Sequence, residues 1–239
     1  MTNVGDGLTA DRGNWKFSGA VVDSFDDHVS KSVPLYHEGH DLICDMSDFF
    51  VKTDSVCYEV GCSTGTLTLK LADHNRGKPE ASFIGIDIEA DMIAKAKAKA
   101  AAHPDLNTTF LAEDALEVEM RPADLIVCYY TVQFVRPAVR QALIDKLYKS
   151  LSWGGALLLF EKVRGADARF QDILTTLYND YKLRKGYTPE EIVSKTRSLK
   201  GVLEPFSTQG NIDMLKRSGF VDIITVQKYL CFEGFLAIK

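Results

Sequence analysis

A short glycine-rich segment carries the first residues whose types and spacing could do chemistry. Gly61 and Gly65 enclose the segment, which directly follows a β-rich run over residues 55–60. Glycines at such a place let the backbone bend sharply and come close to a ligand. The segment lacks the second glycine of a dinucleotide loop and the lysine of a P-loop, which favours a nucleoside without phosphates. Taken alone, it fits a plain turn that binds nothing equally well.

Two acidic residues extend this pattern. Asp87 ends the run over residues 82–87, and Asp114 follows the run over residues 108–111. Ligands of open parallel sheets bind beyond the carboxyl ends of the strands, where these residues are expected. A carboxylate at Asp87 could accept both ribose hydroxyls, and one at Asp114 could accept an adenine amino group. Asp87 alone also fits a helix cap or a solvent-facing acid, but three positions in this order indicate a nucleoside site.

The elements that must position these residues alternate between strand and helix from residue 55 to residue 160. Parallel neighbours need a crossover helix, so the alternation predicts an α/β fold with a doubly wound, mostly parallel sheet. Two further strands, over residues 221–227 and 232–238, are joined too tightly for a crossover and are predicted to be antiparallel. The sheet then has seven strands.

Two segments lie outside the alternation. Residues 166–201 contain a long amphipathic helix and a second helix that starts with a capping box at Thr188, which predicts a helical cap over the sheet. Residues 15–50 contain two further helical patterns, and residues 1–14 are polar and glycine-rich. We expect a flexible tail over 1–14 and a single domain over 15–239.

Composition narrows the function classes. The chain has 239 residues, 46% of them hydrophobic, and five widely spread cysteines without a Cys-x-x-Cys pair. This pattern predicts no metal site and no disulfide framework, with the cytoplasm as the default location. No apolar run reaches the length of a membrane span, and the amino terminus lacks a signal-peptide core, so no membrane partner is expected.

The net charge restricts the possible partners less than the composition does. The net charge of -5 counts mildly against unspecific nucleic-acid binding, although a nucleic-acid partner is not excluded. Local basic clusters are interpreted as solvated faces, as most charge runs are. Their members are Lys182, Arg184 and Lys185 in one cluster and Lys195, Arg197 and Lys200 in the other.

The acid and glycine pattern resembles that of class I S-adenosylmethionine-dependent methyltransferases. Its members here are Glu59, Gly61, Gly65, Asp87 and Asp114. Residues 151–155 resemble the turn that these enzymes carry before the fifth strand, with Trp153 in place of proline. The resemblance implies a Rossmann-like methyltransferase fold, S-adenosyl-L-methionine as cofactor and S-adenosyl-L-homocysteine as product.

From about residue 14 to the end, the chain is further similar to the carboxy-S-adenosylmethionine synthases. The matching positions include Trp15, Phe17, Phe25, Ser32, Val33, Pro34, Tyr36, Thr131, Gln133, Phe134, Glu161, Lys162, Gly186, Tyr187, Gly219 and Phe220. This family makes a carboxylated cofactor from prephenate for modification of the tRNA wobble uridine, and its members are homodimers. By resemblance, the cofactor-contacting positions are Tyr36, Gly61, Cys62, Ser63, Asp87, Ile88, Asp114 and Ala115, beside Glu59 of the general pattern and Tyr129.

Two positions depart from that family. Tyr129 stands where the synthases have an asparagine that touches the cofactor, and Thr196 stands where an arginine pairs with the extra carboxylate. A buried carboxylate needs a cation, which threonine does not supply. In a helix, Arg197 would point about 100° away from Thr196. Both departures favour ordinary S-adenosylmethionine over its carboxylated relative.

We therefore expect methyl transfer to an unidentified small or medium acceptor, in a site that supplies alignment and excludes water. Carboxy-S-adenosylmethionine synthesis from prephenate is the alternative, and a non-catalytic cofactor-binding module is a third hypothesis. No catalytic residue is assigned. Candidate general bases are His37, His40, Tyr130 and Glu161.

Overall fold

The computed structural model describes residues 2–19 and 21–239. Met1 belongs to the expected tail and Ala20 to the expected amino-terminal helical segment, and both lie outside the described residues. The elements are β1 Thr2–Gly5, β2 Leu8–Ala10, α1 Val21–Ser32, α2 Tyr36–Ser47, β3 Val56–Val60, α3 Thr66–His74, β4 Ser82–Asp87, α4 Ala90–Ala100, β5 Thr108–Ala112, β6 Ala123–Tyr129, a 3-10 turn Val132–Phe134, α5 Pro137–Ser150, β7 Leu151–Lys162, α6 Ala168–Arg184, α7 Pro189–Ser198, α8 Thr208–Ser218, β8 Asp222–Tyr229 and β9 Phe232–Ile238.

The central sheet has seven strands in the order β5-β4-β3-β6-β7-β9-β8. Neighbours from β5 to β7 pair in parallel, and β9 runs antiparallel to both β7 and β8. This confirms the predicted doubly wound sheet with an antiparallel last strand. From β3 the chain adds β4 and β5 on one side of the sheet, and it then returns to add β6 and β7 on the other side. The strand order therefore reverses between β3 and β6. A ligand site is expected at that reversal.

The core lies on both faces of β6 and β7. Leu125, Ile126 and Val127 on β6 are fully buried, as is the run 156–160 on β7. Alternate residues face opposite layers, so Leu125 and Val127 pack in one apolar cluster while Ile126 packs in the other. Burial on both faces explains why these strands read as continuous apolar runs.

The cap consists of α6 and α7, within the segment for which the sequence predicts two inserted helices. The capping box is present: Thr188 accepts a hydrogen bond from the Glu191 amide, and the Glu191 carboxylate accepts one from the Thr188 amide. Across residues 2–19 and 21–239, no helix has both the length and the apolar character needed to cross a membrane.

The expectation of a flexible tail is wrong for the described part of residues 1–14. β1 and β2 form an antiparallel hairpin, and Val4, Leu8, Ala10 and Trp15 are buried in a cluster of their own. The few apolar residues alternate with polar ones, so a hairpin places them on one face. That face packs against Leu199 and Val202 after α7. We call residues 2–15 the strap.

A hydrogen bond from a tyrosine hydroxyl links α2 to the sheet. The Tyr129 hydroxyl at the end of β6 donates a hydrogen bond to the Tyr36 carbonyl oxygen at 2.6 Å. A Cβ atom added at Gly39 would collide with that same hydroxyl. Glycine is therefore required here, although it lies inside a helix.

We predict that Gly39→Ala destabilises the protein by about 1–3 kcal/mol, because the new methyl group overpacks the contact with Tyr129. The measurement is the free energy of unfolding from denaturant titration. Gly77→Ala is the control, since an added Cβ meets nothing within 4 Å there. The packing argument is contradicted if Gly39→Ala stabilises the protein, as alanine does at an unconstrained helical position.

Candidate functional site

A cavity of about 950 Å³ opens beyond the carboxyl ends of β3, β4, β5 and β6. The sheet forms one wall, while the strap, α1 and the cap form the others. Its size lies near the upper end of the range for small-molecule sites, roughly 300–1,000 Å³. The cavity therefore has room for a nucleoside cofactor and a second small molecule.

The glycine-rich turn forms the floor of this cavity. The amides of Gly61 and Cys62 both donate to the Ile86 carbonyl oxygen on β4, at 2.7 and 3.0 Å. Gly61 has a φ of +77°, and a Cβ atom there would collide with the Thr131 side chain. The turn thus needs glycine both for its left-handed backbone and for the close approach of the segment after β6.

Asp87, the last residue of β4, joins this turn to that strand. Its carboxylate accepts hydrogen bonds from the Ser63 amide at 2.8 Å and from the Glu89 amide at 2.9 Å. Burial raises the pKa of Asp87, and these backbone hydrogen bonds oppose that shift. A carboxylate has about four acceptor positions, so two remain for the hydroxyls of a ribose.

The residues that the sequence predicts beside the adenine lie after β4 and β5. Ile88 is 67% exposed although it is apolar, and it forms part of the cavity wall. Asp114 and Ala115 also line the cavity, and one Asp114 carboxylate oxygen accepts the Leu116 amide at 2.9 Å. An exposed apolar side chain beside a carboxylate suits a flat base with an amino group.

The remaining predicted positions lie on the inner wall. Tyr36 and Tyr129 pack ring against ring, with centroids 5.2 Å apart. Burial raises the pKa of Glu59 to about 8, and its carboxyl oxygen accepts a hydrogen bond from the Thr68 hydroxyl. Cys62 is buried, and burial also raises the pKa of its thiol. All ten predicted cofactor positions therefore line one cavity.

The four candidate general bases do not all lie in the cavity. Tyr130 lines the cavity, has a φ of +59° and carries a buried hydroxyl without a hydrogen-bond partner among the described residues. Glu161 and His40 are buried behind the wall, where the Glu161 carboxylate accepts the Val132 amide at 3.0 Å. His37 is exposed outside the cavity. None of these positions assigns a base.

Five lysines line the cavity, and sequence reasoning did not place any of them there. Lys16 and Lys200 are two of them, and the other three, Lys162, Lys182 and Lys195, lie against aromatic rings. The ammonium groups of Lys162 and Lys182 lie 4.4 and 4.5 Å from the centroid of the same Tyr178 ring. The Lys195 ammonium lies over the Trp15 ring of the strap. Within residues 2–19 and 21–239, no carboxylate forms an ion pair with any of the three.

The interpretation of both basic clusters as solvated faces is therefore wrong for Lys182 and Lys195. Burial lowers the pKa of Lys182 to about 8 and the pKa of Lys195 to about 6, and Lys182 adds to the second shift. The aromatic residue four positions before Lys182, Tyr178, was a usable signal, because residues four apart share a helix face. No comparable signal marked Lys195.

Comparison with known proteins shows the family of this chain. A methyltransferase domain model matches residues 58–157. The chain is 35% identical over 225 residues to a carboxy-S-adenosyl-L-methionine synthase of Campylobacter jejuni, covering 94% of each chain. The synthase of Nautilia profundicola is 37% identical over the same coverage. This chain belongs to the carboxy-S-adenosyl-L-methionine synthase family.

The solved structures bear on the fold. Magnesium protoporphyrin IX methyltransferase from Synechocystis, with bound S-adenosylhomocysteine, matches with a TM-score of 0.64 at 18% identity, covering 93% of this chain and 95% of that one. Family and fold together make S-adenosylmethionine the cofactor of this chain and the chain an S-adenosylmethionine-dependent enzyme.

We predict that Asp87→Ala weakens S-adenosylmethionine binding at least roughly tenfold, because two hydrogen bonds to a charged group are lost. Isothermal titration calorimetry measures the affinity, and circular dichroism checks the fold. Asp54→Ala, in the exposed turn before β3, is the control. An unchanged affinity in a folded Asp87→Ala protein would refute the placement of the ribose.

Proposed function

We propose that this chain carboxylates S-adenosylmethionine, replacing one hydrogen of the S-methyl group by a carboxyl group from a small anionic donor. The observation that carries the proposal is the set of three unpaired lysines in the cavity beside the cofactor half. Family membership supports the same reaction, because relatives that match almost the whole chain are named for it.

The lysines in the cavity favour an anionic donor. The cofactor brings a sulfonium cation into a cavity that already holds Lys162, Lys182 and Lys195. Burying like charges together is unfavourable, and the lowered pKa values of Lys182 and Lys195 reflect this cost in the free protein. A neutral second substrate would leave this repulsion in place, whereas an anionic one offsets it. Acidic side chains such as Asp26, Asp87 and Asp114 also line the cavity, but among the described residues no carboxylate forms an ion pair with these three lysines. The part of the cavity around the lysines therefore favours an anion.

The three lysines lie at two separate positions in the cavity. Lys162 and Lys182 share the Tyr178 ring, while Lys195 lies at the strap, on Trp15. Two separate cationic positions fit a dicarboxylate, and aromatic rings beside them fit a cyclic carbon skeleton. Prephenate, the donor implied by the family resemblance, has both properties.

This chain has Thr196 where the family resemblance implies an arginine. The Thr196 hydroxyl donates to the Ile192 carbonyl oxygen at 2.8 Å within α7. Arg197 is exposed and is not among the residues that line the cavity. Lys195, one residue before Thr196, does line it. We infer that Lys195 provides the cation that the family places at residue 196, so the synthase activity does not depend on Arg197.

The reaction balances with prephenate as donor. The bond from the ring carbon to one carboxyl group breaks, and aromatisation of the ring expels the hydroxyl group as hydroxide. Hydroxide takes one proton from the S-methyl group and forms water, while the methyl carbon forms a bond to the released carbon dioxide. The protein's part is to align both molecules and exclude water during the transfer.

Methyl transfer to a small or medium acceptor is the second candidate. The observation that favours it is the aromatic wall at Tyr129, where the ring and hydroxyl contact α2 instead of offering an amide to the cofactor. The same lysines would then require an anionic acceptor. The products distinguish the two candidates, because methyl transfer leaves S-adenosylhomocysteine.

We predict that incubation of the protein with S-adenosylmethionine and prephenate yields a cofactor heavier by one carboxyl group in place of one hydrogen. Mass spectrometry of the small molecules detects it, and Asp87→Ala is the matched variant that should form at least roughly tenfold less at limiting cofactor. If only S-adenosylhomocysteine or unchanged cofactor is found, carboxylation is wrong.

We predict that prephenate binds more weakly as the pH rises from 6 to 8. Burial lowers the pKa of Lys195 to about 6 in the free protein, so the side chain is neutral at pH 8 and must take up a proton to pair with a carboxylate. The dissociation constant should rise by up to roughly tenfold per pH unit. Calorimetry in two buffers of different ionisation enthalpy measures both affinity and proton uptake.

Lys195→Met is the variant for this experiment. It should bind prephenate more weakly at pH 6 and lose the proton uptake between pH 6 and pH 8. Proton uptake that persists in this variant would assign the titration to another group, such as Lys182. The expected homodimer, cytoplasmic location and small-molecule partner stay predictions.

A further inference from the structure

The strap covers the cavity and also forms part of its wall. Its backbone pairs with the end of α7, where the Gly13 amide donates to the Arg197 carbonyl oxygen at 3.0 Å and the Trp15 amide to that of Ser198 at 3.3 Å. Val4 and Trp15 of the strap line the cavity themselves. The strap therefore forms part of the wall on which Lys195 lies.

One carboxylate holds the turn of the strap in place. Asp6 accepts hydrogen bonds from the Tyr187 hydroxyl at 2.6 Å, from His28 Nδ1 at 2.7 Å and from Lys31 Nζ at 2.8 Å. Burial alone would raise the pKa of Asp6, but the hydrogen bonds of these three side chains outweigh it and lower the pKa to about 2. The carboxylate is thus ionised throughout the physiological range and joins the strap to α1 and to the cap.

A stack of rings leads from this carboxylate to the cavity. The His28 ring lies parallel to the Trp15 ring, with centroids 5.6 Å apart and an interplanar angle of 25°. Lys195 lies over the same Trp15 ring. Burial, with the charge of Lys195, lowers the pKa of His28 to about 4, so the ring is neutral and donates its Nδ1 proton to Asp6. Asp6 thereby fixes the surface against which the Lys195 ammonium rests.

The charge of Asp6 also acts on Lys195 directly. Among the charged groups that act on this ammonium, Asp6 favours its protonated form and Lys182 from α6 opposes it. Glu191, one turn earlier on α7, lines the cavity but is engaged with the Thr188 amide and with Asn3 of the strap. His28 from α1 is neutral. Asp6 is therefore the acidic group that acts on Lys195, although its ion pair with Lys31 on α1 offsets part of its charge.

We propose that Asp6 is a positioning residue that holds Lys195 at the cavity wall and keeps it protonatable, so that the anion site is complete only when the strap is docked. The proposal rests on the proposed function for the identity of the anion. It assigns a role in substrate binding to a segment that lies outside the methyltransferase core. Asp6 acts through His28, Trp15 and its own charge, and it does not touch the substrate.

The decisive variant is Asp6→Asn, which removes the charge and keeps the size of the side chain. In protein labelled with carbon-13 at lysine, the Lys195 resonance, assigned by its loss in Lys195→Met, should titrate about one pH unit lower than in the wild type. Tyr187→Phe is the matched control, since it removes one hydrogen bond from Asp6 and leaves the charge. Its Lys195 midpoint should stay close to that of the wild type.

Binding supplies a second readout. At pH 7, Asp6→Asn should raise the dissociation constant of prephenate roughly tenfold while leaving that of S-adenosylmethionine within about twofold. Asp6→Glu, which keeps the charge, should restore most of the loss. In a Lys195→Met background the Asp6→Asn change should have little further effect, because both substitutions act on the same interaction.

An unchanged Lys195 midpoint in Asp6→Asn, or an equal loss of prephenate binding in the Lys195→Met background, would overturn the proposal. If Asp6→Asn does not fold, Gly5→Ala replaces it, because its Cβ would meet the Tyr187 ring at 2.5 Å and so disturb the turn that holds Asp6, with the charge of Asp6 intact. A lower Lys195 midpoint in that variant supports the proposal, and an unchanged one contradicts it. A wild-type protein that makes no carboxylated product refutes the proposed reaction, whereas the Lys195 titration still decides the role of Asp6.

Discussion

The hydrogen bonds between the glycine-rich turn and the end of β4 hold the cofactor half of the cavity together. Gly61 and Cys62 donate to one carbonyl oxygen of β4, and the Ser63 amide donates to the Asp87 carboxylate. These hydrogen bonds therefore join β3, the glycine-rich turn and β4 into one unit. Because β3 is the strand from which the order reverses, this unit lies where an open α/β sheet leaves a crevice.

The second half of the cavity depends on charge. Lys162 comes from the end of β7, Lys182 from α6 and Lys195 from α7, so three separate elements bring cations to one space. Such an arrangement is unfavourable without an anion, and aromatic rings at Tyr178 and Trp15 compensate only part of the lost hydration. Under the proposed function, the empty protein gives up stability at this site for selectivity toward an acidic ligand. Asp6 at the strap provides a negative charge that acts on Lys195.

Much of the fold follows from local pattern, and the exceptions have physical reasons. The β3 to β7 core was predictable because burial on both faces requires apolar runs, and parallel pairing requires helices between them. The strap was not, because two strands of three or four residues with intervening polar positions carry too little periodic signal. Its hairpin exists because Gly5, Asp6 and Gly7 adopt left-handed backbone conformations and Leu199 and Val202 offer an apolar surface.

The sequence by itself determined the order of the elements from residue 15 onward. It also placed the glycine-rich turn, Asp87 and Asp114 at one edge of the sheet, since residues that follow parallel strands must meet there. The other predicted cofactor positions rest on the family resemblance. Only the tertiary structure decided where the lysines point. Lys182 and Lys195 stand in basic runs whose composition is typical of solvated helix faces, and the orientation of a helix face depends on what packs against it. The strap and Tyr178 supply those contacts from distant parts of the chain. The cationic half of the cavity is therefore a property of the packed cap and strap, which local spacing does not encode.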